Sequence, residues 1–518
     1  MNTPTVEQLI HRFEHLAEVG RALARERDAA RLLDIIVAAA IRLCNADGGA
    51  LYRLDEDGAA LSFAIVHNRT LNWGEGGARA ADLSLPAVRL ARADGTPNHN
   101  AVVAHAALTR KSVRIADVYQ VGEYDFSAAR AFDARYGYRT RSLLAVPMQD
   151  HRDELIGVLQ LVNAQAGTGG VAEFTDEDQR LVEALTGLAG VVLSNQLLIG
   201  QLEALFSGLV GLINTAIDEK SPYTGGHCQR VPELTMMLAE AAHETAEGPL
   251  AAFQLSASDR EELRLAGMLH DCGKITTPVH VVDKSTKLQT IGDRIDLVAA
   301  RFDALAADTD SAAERDAQDA DLAFLRRANV GQEKMAAADI ERVRRVAQRT
   351  YRRADGTRHP VLTPDEVDNL TIPYGTLNPA ERAVINRHVE STISMLEALP
   401  WPRHLARVPE FAGGHHERID GKGYPRGLTR AEMSWQARIV CIADIFEALT
   451  APDRPYKSAK TLSESLAILG RMREGGHVDP DLFDAFVRRK VYRDYATKYM
   501  DPSQIDDVDE RAIPGYAP

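Results

Sequence analysis

The stretch His415-His416-Glu417-Arg418-Ile419-Asp420-Gly421-Lys422-Gly423-Tyr424-Pro425 carries more information than any other part of the chain. It sets two adjacent imidazoles and two carboxylates beside a glycine-proline turn, a cluster that is costly to fold unless something binds there. Neighbouring residues on a helix point about 100° apart, so His415 and His416 would splay toward two cations, or toward one cation and an outer contact. Working outward, His388, the pair His270-Asp271 and His227 lie upstream, and Asp444 lies downstream. Five histidines and two aspartates from separated segments form a nitrogen and oxygen donor set suited to two hard or borderline divalent cations.

The pair His270-Asp271 follows Leu265-Ala266-Gly267-Met268-Leu269, which predicts a position near the end of a buried helix. There an aspartate can bridge two cations while the histidine binds one. Lys274 is expected on the same helix face as Asp271, where its ammonium would offset negative charge developing on a phosphoryl group. Asp444 interrupts the apolar run from Ala437 to Phe446, where an unpaired carboxylate is expensive. A cation satisfies it; a salt bridge to Arg438 or Arg454 is the competing arrangement. His388, on an amphipathic helix, and His227 read equally well as ordinary histidines when taken singly.

A chain of 518 residues with 45% hydrophobic and 26% charged residues predicts two or three soluble domains. The net charge of −14 argues against a nucleic-acid polymer as partner, although metals and a few local cations leave a small anionic substrate open. Cys44, Cys228, Cys272 and Cys441 are too few for a disulfide framework and are expected to be buried thiols. No secretory signal and no window of roughly 18 uncharged apolar residues is expected, which points to a cytoplasmic protein without a membrane span.

The N-terminal third alternates helical and strand-like patterns. Ala50–Leu54 and Leu61–Val66 read as strands around the Asp55-Glu56-Asp57-Gly58 turn, and Ser142–Met148 and Leu155–Asn163 read as two more. The order "SLLAVPM", "LIGVLQLVN", "FTDEDQRLVEAL" resembles a GAF domain, which implies an antiparallel sheet flanked by helices and an unknown small-molecule ligand. Asn163, Phe174 and Asp178 match the cyclic-nucleotide-binding signature of such domains. Ala164 and Gln179 depart from it, so no cyclic nucleotide is assigned, and a dimerisation module without ligand is the alternative.

From Leu181, apolar positions recur at alternating steps of three and four through Ala184, Leu188, Val191, Leu198, Leu202, Leu205, Leu209, Leu212 and Ala216. This is the seam of a coiled coil, interrupted by Asn195, and predicts a connecting helix over 176–217 that pairs two copies. Gly187, Gly190, Gly200, Gly208 and Gly211 each weaken it by ~1 kcal/mol relative to alanine. A helix packed on its own domain is the alternative. Beyond Asp218 the pattern is helical, with a charged, alanine-rich insertion at about 289–377 expected as two or three helices around a turn at Asp355-Gly356.

The motifs "YTGGHCQRV" (223–231), "LHDCGKI" (269–275), "HHERIDGKGYPRGL" (415–428), "RIVCIADIFEALT" (438–450) and "DRPYK" (453–457) together resemble the HD-GYP family of cyclic di-GMP phosphodiesterases. The resemblance implies a GAF-like α+β sensor at 1–175, an all-α HD-type catalytic domain at 218–490 and a tail at 491–518. It implies two divalent ions, iron or manganese, on His227, His270, Asp271, His388, His415, His416 and Asp444, with Asp271 bridging. Lys274 becomes the catalytic lysine. Gly423, Tyr424, Pro425, Arg454 and Lys457 become substrate-binding residues. Tyr223 stands where some members place the carboxylate of a third metal, so two are expected. The implied reaction is attack of a metal-activated water on cyclic di-GMP to give pGpG, with another cyclic dinucleotide such as cyclic GMP-AMP, or binding without catalysis, as alternatives.

Overall fold

The apolar runs of the N-terminal third become strands because both faces of their sheet are covered. The computed structural model describes residues 6–55, 57–77, 85–166, 169–220, 226–331, 334–451 and 460–516, and divides into two units, Met1–Phe206 and Ser207–Pro518. In the first, α1 (Val6–Arg25) and α2 (Ala29–Leu43) precede β1 (Ala46–Leu54), β2 (Ala60–Asn68), β3 (Trp73–Gly76) and β4 (Val88–Arg89). Then come α3 (Val102–Thr109), β5 (Val113–Ile115), α4 (Ser127–Tyr136), β6 (Leu143–Gln149), β7 (Leu155–Gln165) and β8 (Val171–Ala172). The sheet is antiparallel in the order β3-β2-β1-β7-β6-β5, with β4 on β2 and β8 on β7. Leu144, Val146 and Met148 of β6 pack into one core with α1 and α2, whereas Leu143 and Ala145 pack into the other with α3. Period-two alternation between two apolar layers is what makes "SLLAVPM" an unbroken apolar run.

Helix α5 (Asp176–Lys220) extends over 45 residues. Its first turns pack Val182, Leu185, Ala189 and Leu193 into the same core as α2, and a side chain at Gly190 would collide with the Gln149 carbonyl. Gly190 is therefore a close-contact glycine, whereas Gly187, Gly200, Gly208 and Gly211 face open space. Leu188, Leu198, Leu202, Leu205, Leu209 and Leu212 are all exposed. Glu203 is the single charged side chain between Glu183 and Asp218, and an 18-residue window of mean hydropathy 1.6 is long and apolar enough to cross a membrane by length and composition. That corrects the expectation that no such window exists.

In the second unit, α6 (His227–His243), α7 (Ala257–Leu269) and α8 (Val279–Val282) come first. The insertion holds α9 (Ile295–Ala307), α10 (Ala312–Asn329), α11 (Ala337–Val346), a hairpin of β9 (Thr350–Arg352) and β10 (Arg358–Pro360), and α12 (Pro364–Leu370). Four helices and a hairpin thus replace the expected two or three helices. They surround their own cluster, including Val298, Phe302, Phe324, Leu325, Val343 and Leu370. At its base Lys284 Nζ meets Glu381 Oε2 at 2.7 Å, and Lys287 Nζ donates to the carbonyls of Leu370 and Ile372 at 3.0 and 2.8 Å.

The chain then forms α13 (Pro379–Glu397), α14 (Val408–Gly413), α15 (Trp435–Thr450), α16 (Leu462–Glu474), α17 (Pro480–Arg488) and α18 (Val491–Tyr499). Helix α15 is buried on nearly every side, the pattern of a helix at the centre of a core. A side chain at Gly267 of α7 would meet Pro232 of α6 at 3.1 Å, so glycine allows these two helices their close approach. Residues after 491 pack as part of the unit: Tyr495 and Ala496 are buried, and Gln504 Nε2 donates to the Thr450 and Lys460 carbonyls, each at 2.9 Å.

Candidate metal centre

Each histidine of the set is delivered by a helix or its end. His227 is the first residue of α6, His270 caps the C-terminus of α7, His388 lies within α13, and His415-His416 follows α14 directly. Three of them are oriented by the helix that carries them. Nδ1 of His270 lies 2.8 Å from the Gly267 carbonyl, that of His388 2.6 Å from Ile385, and that of His415 2.6 Å from Ala412. A carbonyl only accepts, so Nδ1 carries a proton and Nε2 is the nitrogen turned toward the carboxylates, able to ligate once it carries no proton of its own. The Nε2 atoms of His227, His270, His388 and His415 are buried and make no hydrogen bond. Four converging orphan nitrogens beside carboxylates are what a cation would satisfy, and the donor set fits divalent ions.

Asp271 sits at the centre. Its Oδ2 is 3.2 Å from His227 Nε2 and 3.3 Å from His270 Nε2; its Oδ1 is 3.3 Å from His388 Nε2 and 3.9 Å from His415 Nε2. Asp444 Oδ1 lies 3.4 and 3.7 Å from the Nε2 atoms of His227 and His270. Ligand atoms of His388, His415 and His416 come within 4.8 Å of one another, as do those of His227, His270 and Asp271 and those of His270, His415 and Asp444. The competing salt bridge of Asp444 to Arg438 does not form: Arg438 Nη1 pairs with Asp479 at 2.5 Å.

Burial disfavours the charge of Asp271, but Lys274, His270 and His227 outweigh it and hold the carboxyl well below its usual range. Asp444 is held low in the same way by His270, His227 and His416. Burial also opposes protonation of His270, yet Asp271 and Asp444 lift it to about 10. His415 falls well below its usual range, through burial and the neighbouring His416 and His270, and burial lowers His416 to about 4. The unlike shifts mark a site where protons and cations compete.

Lys274 corrects its expected placement. Helix α7 ends at Leu269, so Asp271 caps a separate 3-10 turn, Cys272–Thr276, and Lys274 folds back along it to put Nζ 2.5 Å from Asp271 Oδ2. Burial opposes the lysine's charge but the two aspartates raise its pKa, so it is cationic at neutral pH. The loop 423–425 sits against the histidines. Tyr424 stacks on His416 with ring centroids 4.9 Å apart and planes 24° apart, Pro425 follows it, and a side chain at Gly423 would collide with the Glu417-Arg418 backbone. Tyr223, Arg454 and Lys457 lie outside the described residues.

The supporting roles of three residues escaped the sequence reading. Fully buried Glu417 accepts from the backbone N–H groups of Arg426 at 2.7 Å and Leu428 at 2.9 Å, pinning the loop from inside. Glu447 Oε2 lies 2.5 Å from His227 Nδ1, and Arg230 Nε donates to Glu447 Oε1 at 2.7 Å. Glu447 was visible as a second carboxylate three residues after Asp444 in an otherwise apolar run.

The GAF domain family model matches residues 28–193, and two HD domain models match residues 224–328 and 341–482. A 3'3'-cGAMP-specific phosphodiesterase 1 of Vibrio cholerae serotype O1 is 40% identical over 126 residues, 24% of this chain and 28% of that protein. The 3'3'-cGAMP-specific phosphodiesterase 3 of the same organism is 26% identical over 285 residues, covering 55% and 39%. Cyclic di-GMP phosphodiesterase PA4108 of Pseudomonas aeruginosa is 39% identical over 129 residues, covering 25% and 29%. These matches span less than two fifths of each relative's length.

Proposed function

We propose that this chain, in which a GAF domain precedes an HD domain of the HD-GYP type, is a phosphodiesterase that opens cyclic di-GMP to linear pGpG. The observation that carries the reading is Asp271, whose two carboxylate oxygens address separate histidine pairs, His227 with His270 and His388 with His415. That is the arrangement a carboxylate shared by two cations requires. The names of these relatives support the substrate class.

His227, His270, Asp271 and Asp444 would hold one cation, and His388, His415, His416 and Asp271 the other, iron or manganese in each case. Bound there, the ions supply Lewis acidity and a water of lowered pKa. The chain's own groups do the rest. The buried walls around Asp271 and His270 keep bulk water from screening the charges. Lys274, whose ammonium Asp271 and Asp444 favour, stands at the edge of the cluster where it would meet negative charge building on the phosphoryl oxygens. Arg454 and Lys457 hold the phosphates, and Gly423-Tyr424-Pro425 line the approach. Hydrolysis would add water across one phosphodiester: the water oxygen bonds to phosphorus, the bond to the ribose 3′-oxygen breaks, and that oxygen takes up the proton the water gives up; a second round would yield GMP.

The GAF domain acts as sensor for a small molecule, and the exposed leucine row of α5 pairs with a second copy of the chain. Two of the relatives bear 3'3'-cGAMP in their names, which favours that dinucleotide as the second reading. The test is a panel: full-length chain loaded with Fe(II) or Mn(II), given cyclic di-GMP, 3'3'-cGAMP and a linear phosphodiester, with products identified by mass. Intact cyclic di-GMP beside rapid loss of another ester would refute the proposal.

A further inference from the structure

We infer that the two cation positions are chemically unequal, and that Glu447, braced by Arg230, makes the His227 side the one that fills first. The inference rests on the two-cation reading of this centre and deepens it.

The asymmetry begins with local backbone geometry. His270, His388 and His415 each turn Nδ1 to the carbonyl three residues earlier, a neutral acceptor that their own helices supply. His227 opens α6, so no earlier turn of its helix offers such a carbonyl. Its Nδ1 instead meets Glu447, whose side chain is 1% exposed and whose second oxygen is held by Arg230. A carboxylate acceptor makes a stronger, charge-assisted hydrogen bond than a carbonyl does. It also makes the imidazole a more basic ligand and locks its orientation.

The donor sets differ in the same direction. On the His227 side, two imidazole nitrogens lie within 3.7 Å of oxygens from both Asp271 and Asp444. On the other side, His388, His415 and His416 converge, and Asp271 Oδ1 is the carboxylate oxygen beside His388 and His415. Asp444 also comes within 4.8 Å of His415, but its Oδ1 lies 3.4 and 3.7 Å from His227 and His270, so a divalent cation on the first side has the nearer second anion, with a third behind His227. Glu447 acts as a positioning residue: it works through His227 rather than on the substrate.

The experiment titrates the metal-stripped, full-length chain with Mn(II), counting free ion by electron paramagnetic resonance alongside calorimetry. The wild type is expected to bind in two resolved steps. Glu447→Gln should loosen the first step by roughly 10–100-fold and leave the second unchanged, with Glu447→Asp recovering part of the loss. His270→Ala should remove the tighter step and His388→Ala the weaker one. If Glu447→Gln does not fold, Arg230→Met, which releases the brace, should weaken the first step alone. Two equal constants in the wild type, or equal weakening of both steps in the variants, would overturn the inference while leaving the centre intact. A wild type that binds no Mn(II) would overturn the two-cation reading itself.

Discussion

Replacing Asp271 with asparagine separates what this carboxylate does for the fold from what it does for cations. The side chain is 3% exposed, with Lys274 Nζ at 2.5 Å and the Nε2 atoms of His227, His270 and His388 at 3.2–3.3 Å. Asparagine keeps the shape and removes the charge. In the metal-free chain, Lys274 and the protonated His270 then lose their nearest buried counter-ion and keep only the more distant Asp444, a change that costs about 3–5 kcal/mol. At roughly 2–4 °C per kcal/mol for a domain of this order of size, metal-free melting should fall by about 6–20 °C. Metal retention should collapse as well if, as proposed, Asp271 is a ligand common to both positions. Asp271→Asn combined with Lys274→Met should recover part of the melting temperature, since both charges of the pair are gone, without restoring metal. Circular dichroism of stripped protein and metal analysis after dialysis measure the two effects separately. A variant that melts like wild type and keeps two cations would refute the shared-carboxylate assignment.

Metal uptake should release protons. His270 is held protonated to about pH 10 whereas His416 is already neutral above about 4, so cation affinity should rise between pH 6 and 9. The slope should be about tenfold per pH unit for each proton displaced, read by calorimetry in two buffers, and a flat profile would contradict it. By the same sign, the ion pairs of His270 stabilise the metal-free fold fully below its unfolded value of about 6.5, and that contribution fades as pH rises toward about 10. Glu417→Gln sets an amide against one of two buried N–H donors, costing about 1–3 kcal/mol in urea melts and lowering turnover while metal content holds. Loss of bound metal in that variant would move Glu417 from the loop to the centre itself. Leu202→Glu with Leu209→Glu, on the exposed row of α5, should abolish self-association in sedimentation; an unchanged oligomeric state would remove the paired-helix reading.

Much of the architecture was legible because it is written in local periodicity. The strands of the N-terminal sheet, the long helix and the helical C-terminal half all follow from patterns of a few residues. Contacts at long separation were not legible. Glu447 meets His227 across 220 positions and Arg230 across 217, so no window contains the pair. Gly190 and Gly200 look alike in sequence, yet only one has a strand carbonyl against it. Inside the charge-rich insertion, Arg301 pairs with buried Glu366 and Asp321 gathers Arg342 and Arg349, so charges expected to face water hold a small core together. The hairpin around Asp355-Gly356 is three residues a side, too short for alternation to announce it.

The chain's order of residues was enough to propose the donors: imidazole and carboxylate chemistry belongs to side chains, and the apolar patterns around His270, His388 and His415 set them within or just past helices. How those donors are shared was left to the packing of α6, α7, α13, α14 and α15. Only when these helices converge does one carboxylate reach two histidine pairs and Glu447 come to stand behind His227. Distances of a few ångströms between segments far apart in the chain depend on how helices cross, and no local pattern carries that.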